Sequence, residues 1–379
     1  MKSVLMVHPR LGPSGGGQAV GAWALEALKG RCRITLLTLE PIDWPAVNEY
    51  YGVKLSAEDV EIVFPSSAAL ALLKAIPTPT ALLENGVLMR AAQRLARTGR
   101  FDRFLSTNNE IDFGRRGVQY VHFPYAYASR PEDDYRWFHR IPGVLRSYRG
   151  LADWVSGASL ERIRANRALV NSRYIEGVYR DAHGVDSAVV PPPAPGDFPG
   201  VPWEERKDVI VGIGRMHPCK RWVEAIDIVG RVREQGVDLR LLVLGSRDLP
   251  EFTPVIEEAA ARAPWCELGL GLPREEMVRR AAECRYGIHL MVEEHFGIAP
   301  AELQRGGCLT FAHNSGGPIE ILDGDSDVLF DSDDDAVEKI VRMMRDEELR
   351  RRALERMRVR AEAYSEHAFM ERMREEVLG

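Results

Sequence analysis

The chain has 379 residues, 45% of them apolar and 28% charged, which is enough to bury two cores of ordinary size. Its 50 basic and 56 acidic side chains leave a formal net charge of −6, a balance that argues against a protein whose main work is neutralising nucleic-acid phosphates. Five scattered cysteines (Cys32, Cys219, Cys266, Cys284 and Cys308) lack paired metal-ligand spacing and are odd in number, so neither a disulfide framework nor a zinc knuckle is implied and a reducing, cytoplasmic setting is expected.

The leading apolar run is too short for a signal peptide or a membrane span. Short β-rich runs then alternate with amphipathic stretches, the pattern of parallel sheets covered by helices. Residues 3–8 and 33–39 read as buried strands, with 18–28 as the helix crossing between them. The apolar stretch 68–89 is broken by Lys74, Pro77, Pro79, Glu84 and Asn85, which leaves it able at most to lie on a membrane surface. Further strands are expected at 103–106, 118–122, 167–170 and 187–190. Residues 191–203, PPPAPGDFPGVPW, remove donors and fix the backbone through their prolines, and read as an interdomain linker. The alternation restarts with strands at 209–214 and 239–245, helices at 222–234 and 274–283, and strands at 286–291, 309–312 and 328–330. Residues 334–379 read as almost wholly helical. The expected fold class is α/β, two doubly wound Rossmann-like domains facing a central cleft, with a last helix packing back across them.

Three segments carry chemistry. Gly15, Gly16 and Gly17 stand between the first strand and its helix, where missing side chains let backbone amides approach an anion. A flexible turn is the other reading of that segment, and no dinucleotide fingerprint follows the strand. The second segment, Gly212 to Lys220, carries Arg215 and Lys220, a planar fork and a compact charge suited to one diphosphate or to a solvated surface pair. The third, EHFGIAPAE from Glu294 to Glu302, runs from a loop into a helix. Pro300 suits an early helical position, the amides near Gly297 and Ile298 face a ligand, and Glu302 suits the two hydroxyls of a ribose. Ordinary helix-start acids are the competing reading.

These residues resemble glycosyltransferase family 4. Its E-x7-E signature, most often E-G-F-G-L-P-x-x-E, is matched by EHFGIAPAE, and GRMHPCK at 214–220 is similar to its G-R-x-x-x-x-K diphosphate segment. SGGPIEIL at 315–322 resembles its G-G-x-x-E-I turn, and the glycine turn at 15–17, YVHFP at 120–124 and LVNSRY at 169–174 follow in family order. The resemblance implies a GT-B fold: an acceptor-binding domain at 1–190, a linker at 191–203, a nucleotide-sugar-binding domain at 204–362 and a crossing helix at 363–379. It implies that Arg215 and Lys220 bind the donor diphosphate, that Glu302 binds the ribose, and that Glu294 with the backbone of Phe296, Gly297 and Ile298 binds the transferred sugar. Gly16 and Gly17 complete the donor site, and His122 sits beside the reacting carbon. Catalytic roles fall to His122, Arg215, Lys220 and Glu294.

The implied reaction moves a hexosyl group from a nucleotide-diphosphate sugar to an acceptor hydroxyl with the anomeric configuration kept, needing no metal or other cofactor. Among subgroups the likeness is to mannosyltransferases that extend lipid-linked oligosaccharides from GDP-mannose, with a UDP-sugar as the other donor. The acceptor is a small-molecule or lipid-linked saccharide, which allows peripheral membrane contact, and Asp133 to Arg140 is the acceptor-side segment. The departures are His295 and Arg221, where the family has glycine, and Leu290-Met291-Val292, where it often has proline-serine. They bear on donor choice. A catalytically silent sugar-nucleotide-binding protein stays open, whereas an NAD-dependent oxidoreductase lacks its fingerprint here and a sugar phosphorylase finds no support. The acidic run 331–335 reads as a helix cap rather than a metal site.

Overall fold

Two runs of apolar strands build two separate all-parallel sheets in the computed structural model, which describes residues 1–13, 15–75, 81–128, 144–246 and 251–379. By packing, the chain divides into a first unit, 1–193 with 369–379, and a second, 194–368.

The first unit's sheet contains β1 (Ser3–Val7), β2 (Arg33–Leu37), β3 (Val60–Val63), β4 (Arg103–Ser106), β5 (Val118–Val121), β6 (Arg167–Val170) and β7 (Ala188–Val189). Their order is β3-β2-β1-β4-β5-β6-β7, so the chain reverses direction across the sheet between β1 and β4. Central β1, SVLMV, is buried along its whole length, as a strand covered on both faces must be. The helices are α1 (Gly15–Leu28), α2 (Trp44–Tyr51), α3 (Ser67–Ala75), α4 (Leu82–Ala96), α5 (Val144–Ser156), α6 (Leu160–Arg164) and α7 (Arg173–His183). Local chemistry sets their ends. Ser172 caps α7 by accepting from the Ile175 amide, and Gly184, at φ 68°, closes it through the Arg180 carbonyl.

The second unit repeats the plan with β8 (Lys207–Ile213), β9 (Arg240–Gly245), β10 (Cys266–Leu270), β11 (Cys284–His289), β12 (Leu309–His313) and β13 (Leu329–Phe330), in the order β10-β9-β8-β11-β12-β13. Around them run α8 (Trp222–Glu234), α9 (Thr253–Ala261), α10 (Arg274–Ala282), α11 (Ile298–Arg305), α12 (Pro318–Ile321), α13 (Asp333–Arg345) and α14 (Glu347–Ala361). The last helix, α15 (Glu366–Leu378), begins in the second unit, and its later residues Phe369, Met373 and Val377 lie in the core of the first, against α1.

Three features differ from the sequence expectation. β3 and β10, each at one edge of its sheet, went unseen because they are short and interrupted by Glu61 and Glu267. The helical tail is three helices, broken at Asp346 and again by a 3-10 turn at Glu362–Tyr364. Much of the proline-rich segment packs with the second unit. Ala194 is fully buried against Phe296, Ala301, Ile321 and Tyr364, because prolines forbid ladder pairing but not side-chain packing.

Candidate functional site

In both units the candidate residues gather at the carboxyl ends of the strands flanking the reversal of order, where doubly wound sheets leave room for a ligand.

In the first unit the register pairs Val7 with Ser106, so the next residues, His8 and Thr107, emerge side by side. His8 Nδ1 lies 2.9 Å from Thr107 Oγ1, and His122 Nε2 donates to the Thr107 carbonyl at 3.0 Å. Because a carbonyl can only accept, that bond puts a proton on His122 Nε2. Asn109, in the left-handed region at φ 62°, accepts from the amides of His122 and Phe123, while Asn171 donates to the His122 carbonyl. The start of α1 closes over this group. A Cβ at Gly17 would stand 3.5 Å from His122 Nε2, and one at Gly21 only 2.8 Å from His8 Cε1. Gly16 lies in the same first turn. Burial, with the His122 charge second, lowers the His8 pKa to about 3.

In the second unit, Lys220 from the turn after β8 meets Glu294 from the loop after β11, Nζ to Oε2, at 2.6 Å. Met291 Sδ lies 3.2 Å from the same ammonium, and His289 Nε2 lies 3.3 Å from Glu294 Oε2. Burial pushes the Glu294 carboxyl up, but Lys220 and His289 outweigh it and hold the group well below the usual carboxylate range. Burial in turn depresses His289. The turn after β12 fixes the Glu294 loop. The Gly317 amide donates to the Glu294 carbonyl at 2.8 Å and the Glu293 amide to Ser315 Oγ at 2.7 Å. Only glycines fit there, since a Cβ at Gly316 would fall 2.2 Å from the Glu294 oxygen and one at Gly317 2.3 Å from that of Phe296.

Arg215 is exposed, and among the described residues its side chain has no ion-pair partner; the Trp222 indole anchors its carbonyl at 2.9 Å. The side chain of Phe296 is core, edge-on to Tyr364, which leaves its backbone to the loop. Gly297, at φ 102°, leads into α11, and Ile298 is its first residue. Glu302 is only 5% exposed and pairs with Arg274, Nη2 to Oε1, at 2.6 Å. Arg221, after Lys220, takes the left-handed region at φ 54° and binds both oxygens of Asp333 at 3.0 and 2.9 Å.

Within each unit, then, Lys220 joins Glu294 and His122 joins the glycine turn, while Glu302 stands with a partner of its own. The residues 133–140 lie outside the described residues. His8, Thr107, Asn109, Arg274 and His289 were missed. His8, Thr107 and Arg274 lie far in sequence from what they touch, and Asn109 and His289, nearer to theirs, stand in no recognised motif. Asp331 to Asp335 form a helix cap, with Ser332 accepting from the Asp335 amide. Among the described residues no group of three or more His, Cys, Asp or Glu side chains is arranged to hold a metal ion, and no helix is long and apolar enough to cross a membrane.

Residues 196–360 match the family described as "Glycosyl transferases group 1". The chain as a whole is similar in structure to sucrose-phosphate synthase from Thermosynechococcus elongatus, with a TM-score of 0.70 at 13% identity over 99% of this chain and 98% of that one. It is likewise similar to WaaG, a glycosyltransferase involved in lipopolysaccharide biosynthesis, with a TM-score of 0.69 at 14% identity over 99% and 100%. In sequence it is 26% identical over 167 residues to the GDP-Man:Man(3)GlcNAc(2)-PP-Dol alpha-1,2-mannosyltransferase of Dictyostelium discoideum, a match over 39% of this chain and 33% of that protein. The matched stretch therefore spans about a third of the relative's length. The fold is GT-B. The residues that match the group 1 glycosyltransferase family lie in the second unit, and mannosyltransferases are among the sequence relatives.

Proposed function

We propose that this chain is a retaining hexosyltransferase of the family 4 type, moving a sugar, mannosyl favoured, from a nucleotide diphosphate to an acceptor hydroxyl without a metal. The observation that carries the reading is the Lys220–Glu294 pair, set where the second sheet reverses its order and inside the matched segment. A lysine ammonium has three donors. Glu294 and Met291 face two, and the third is available to a diphosphate oxygen. Arg215, on the same loop and exposed, supplies a planar fork. Positive groups fixed on the leaving diphosphate stabilise the charge that grows as the glycosidic bond breaks, one oriented donor being worth about 2.7–4 kcal/mol. Glu294 is held ionised by its neighbours and accepts sugar hydroxyls as the ring becomes oxocarbenium-like. Attack comes from the face the diphosphate leaves, with a departing phosphate oxygen taking the acceptor's proton and His122 orienting the sugar.

GDP-mannose is the favoured donor because the Dictyostelium relative is named for it, and a lipid-linked saccharide is the favoured acceptor on the same ground. Peripheral membrane contact fits α3, an apolar helix with no buried residue that exposes Leu72, and nearby Phe64. The test is nucleotide release from GDP-, UDP- and ADP-sugars in EDTA, with and without anionic vesicles, for the native chain, Lys220→Ala and Glu302→Ala. One donor turned over, with at least a hundredfold loss in Lys220→Ala, is expected. Binding without turnover would favour a silent sugar-nucleotide binder, and activity abolished by EDTA would end the metal-independent mechanism.

A further inference from the structure

Arg274 is the first residue of α10, a poor place for a cation, because a helix N-terminus carries partial positive charge and the rest of that turn is acidic, Glu275 and Glu276. Helix stability therefore does not account for it. The guanidinium instead turns to Glu302, 28 residues on, with Nη2 2.6 Å from Oε1, and also reaches the Pro195 carbonyl. Glu302 has a side chain only 7% exposed and Arg274 one 23% exposed, so the pair is largely shielded from water. A carboxylate so placed has several acceptor directions, and a guanidinium nitrogen that occupies one oxygen, itself anchored on the Pro195 carbonyl, restricts how the other is presented. Glu302 Oε2 makes no hydrogen bond to a described residue.

We infer that Arg274 is a positioning residue for ribose recognition: it locks the Glu302 carboxylate so that Oε2 accepts from the ribose 2′- and 3′-hydroxyls of a nucleoside diphosphate. The inference rests on the reading of the second unit as the nucleotide-sugar site. Its geometry comes from three separate segments. Pro195 belongs to the proline-rich stretch, Arg274 to the end of the β10–α10 loop, and Glu302 to α11, so the guanidinium holds the wall of one site from both sides. A merely structural ion pair would tie the same elements together without sensing the sugar of the nucleotide.

The readout is the ratio of affinities for a nucleoside diphosphate and its 2′-deoxy form. GDP, UDP and ADP, each with its 2′-deoxy counterpart, are titrated calorimetrically into the native chain, Arg274→Gln and Arg274→Lys, with folding followed by near-UV circular dichroism. The native chain should prefer the ribo form by about tenfold or more, the usual worth of a hydrogen bond to a charged group. In Arg274→Gln the preference should collapse to within about twofold while the deoxy form binds as before, and Arg274→Lys, which keeps charge but not the fork, should restore part of it. A native ratio retained in Arg274→Gln overturns the inference, as does a native chain that binds both forms equally. If Arg274→Gln fails to fold, the Arg274→Lys ratio decides by the same criterion. A native chain that binds none of the nucleotides overturns the nucleotide-site reading, and this inference with it.

Discussion

His8 emerges at the end of β1 into a site that keeps it 3% exposed, with Thr107 as its hydrogen-bond partner and Gly21 packed on its ring. Its folded pKa of about 3 lies below the unfolded value of about 6.5, so between those two values the unfolded chain binds one more proton than the folded one. Stability must then be lost as pH falls through that window, by about 1.4 kcal/mol per pH unit from this residue alone. His8→Asn should flatten the pH dependence of the first unit's unfolding free energy by that slope between pH 6 and 4.5, in urea titrations; an unchanged slope would refute the assignment. Arg221 explains a departure from the family pattern. The residue after Lys220 sits at φ 54°, where glycine is unstrained and other residues lose about 1–2 kcal/mol, and here the pair with Asp333 offsets that strain. Lys220, Glu294 and Glu302 were legible because each stands in a contiguous motif. His8, Asn109 and Arg274 were not, since their meaning comes from strand register and side-chain reach across the fold.

The turn after β12 acts as a clamp. Gly316 and Gly317 let its backbone press on residues 293–296, and Glu293 itself takes a left-handed φ of 52°, which places backbone strain beside the Glu294 carboxylate. Gly317→Ala should cost about 1–3 kcal/mol in the second unit, as overpacking does, and displace Glu294 from Lys220. Donor affinity would fall more than the unfolding midpoint suggests. Equal donor affinity in variant and native protein would mean that the turn does not set the site. At this scale the sequence was a good guide to central strands, whose unbroken apolar runs admit few other readings, while at the sheet edges it found β7 and β13 but missed β3 and β10. β3 and β10 carry charges because one side of each faces no strand.

The alternation of strands and helices was enough to foresee two parallel sheets. The last helix, expected to pack back across the domains, gives its residues 369–379 to the first unit; alternation alone does not say which core it joins, because an amphipathic helix reads the same whichever core it covers. Phe369, Met373 and Val377 are 3%, 0% and 1% exposed, and Arg374 and Glu376 add polar ties to Ala27 and Arg167. Burial of each apolar side chain contributes about 1.5–3 kcal/mol, so the three together approach the whole stability of an ordinary domain. Removing residues 369–379 should leave the first unit open to proteolysis while the second resists it. Equal resistance of both units, by limited digestion and mass spectrometry, would show the helix to be dispensable.

The return of α15 to α1 also sets an order on synthesis. A ribosome delivers α1 early, with one apolar flank uncovered, and the segment that covers it is made only after the whole second unit. The second unit, encoded later, has all of its strands available before the first can finish. During that interval the nascent chain exposes the apolar flank of α1 that Phe369, Met373 and Val377 later cover, the kind of surface a holding chaperone binds.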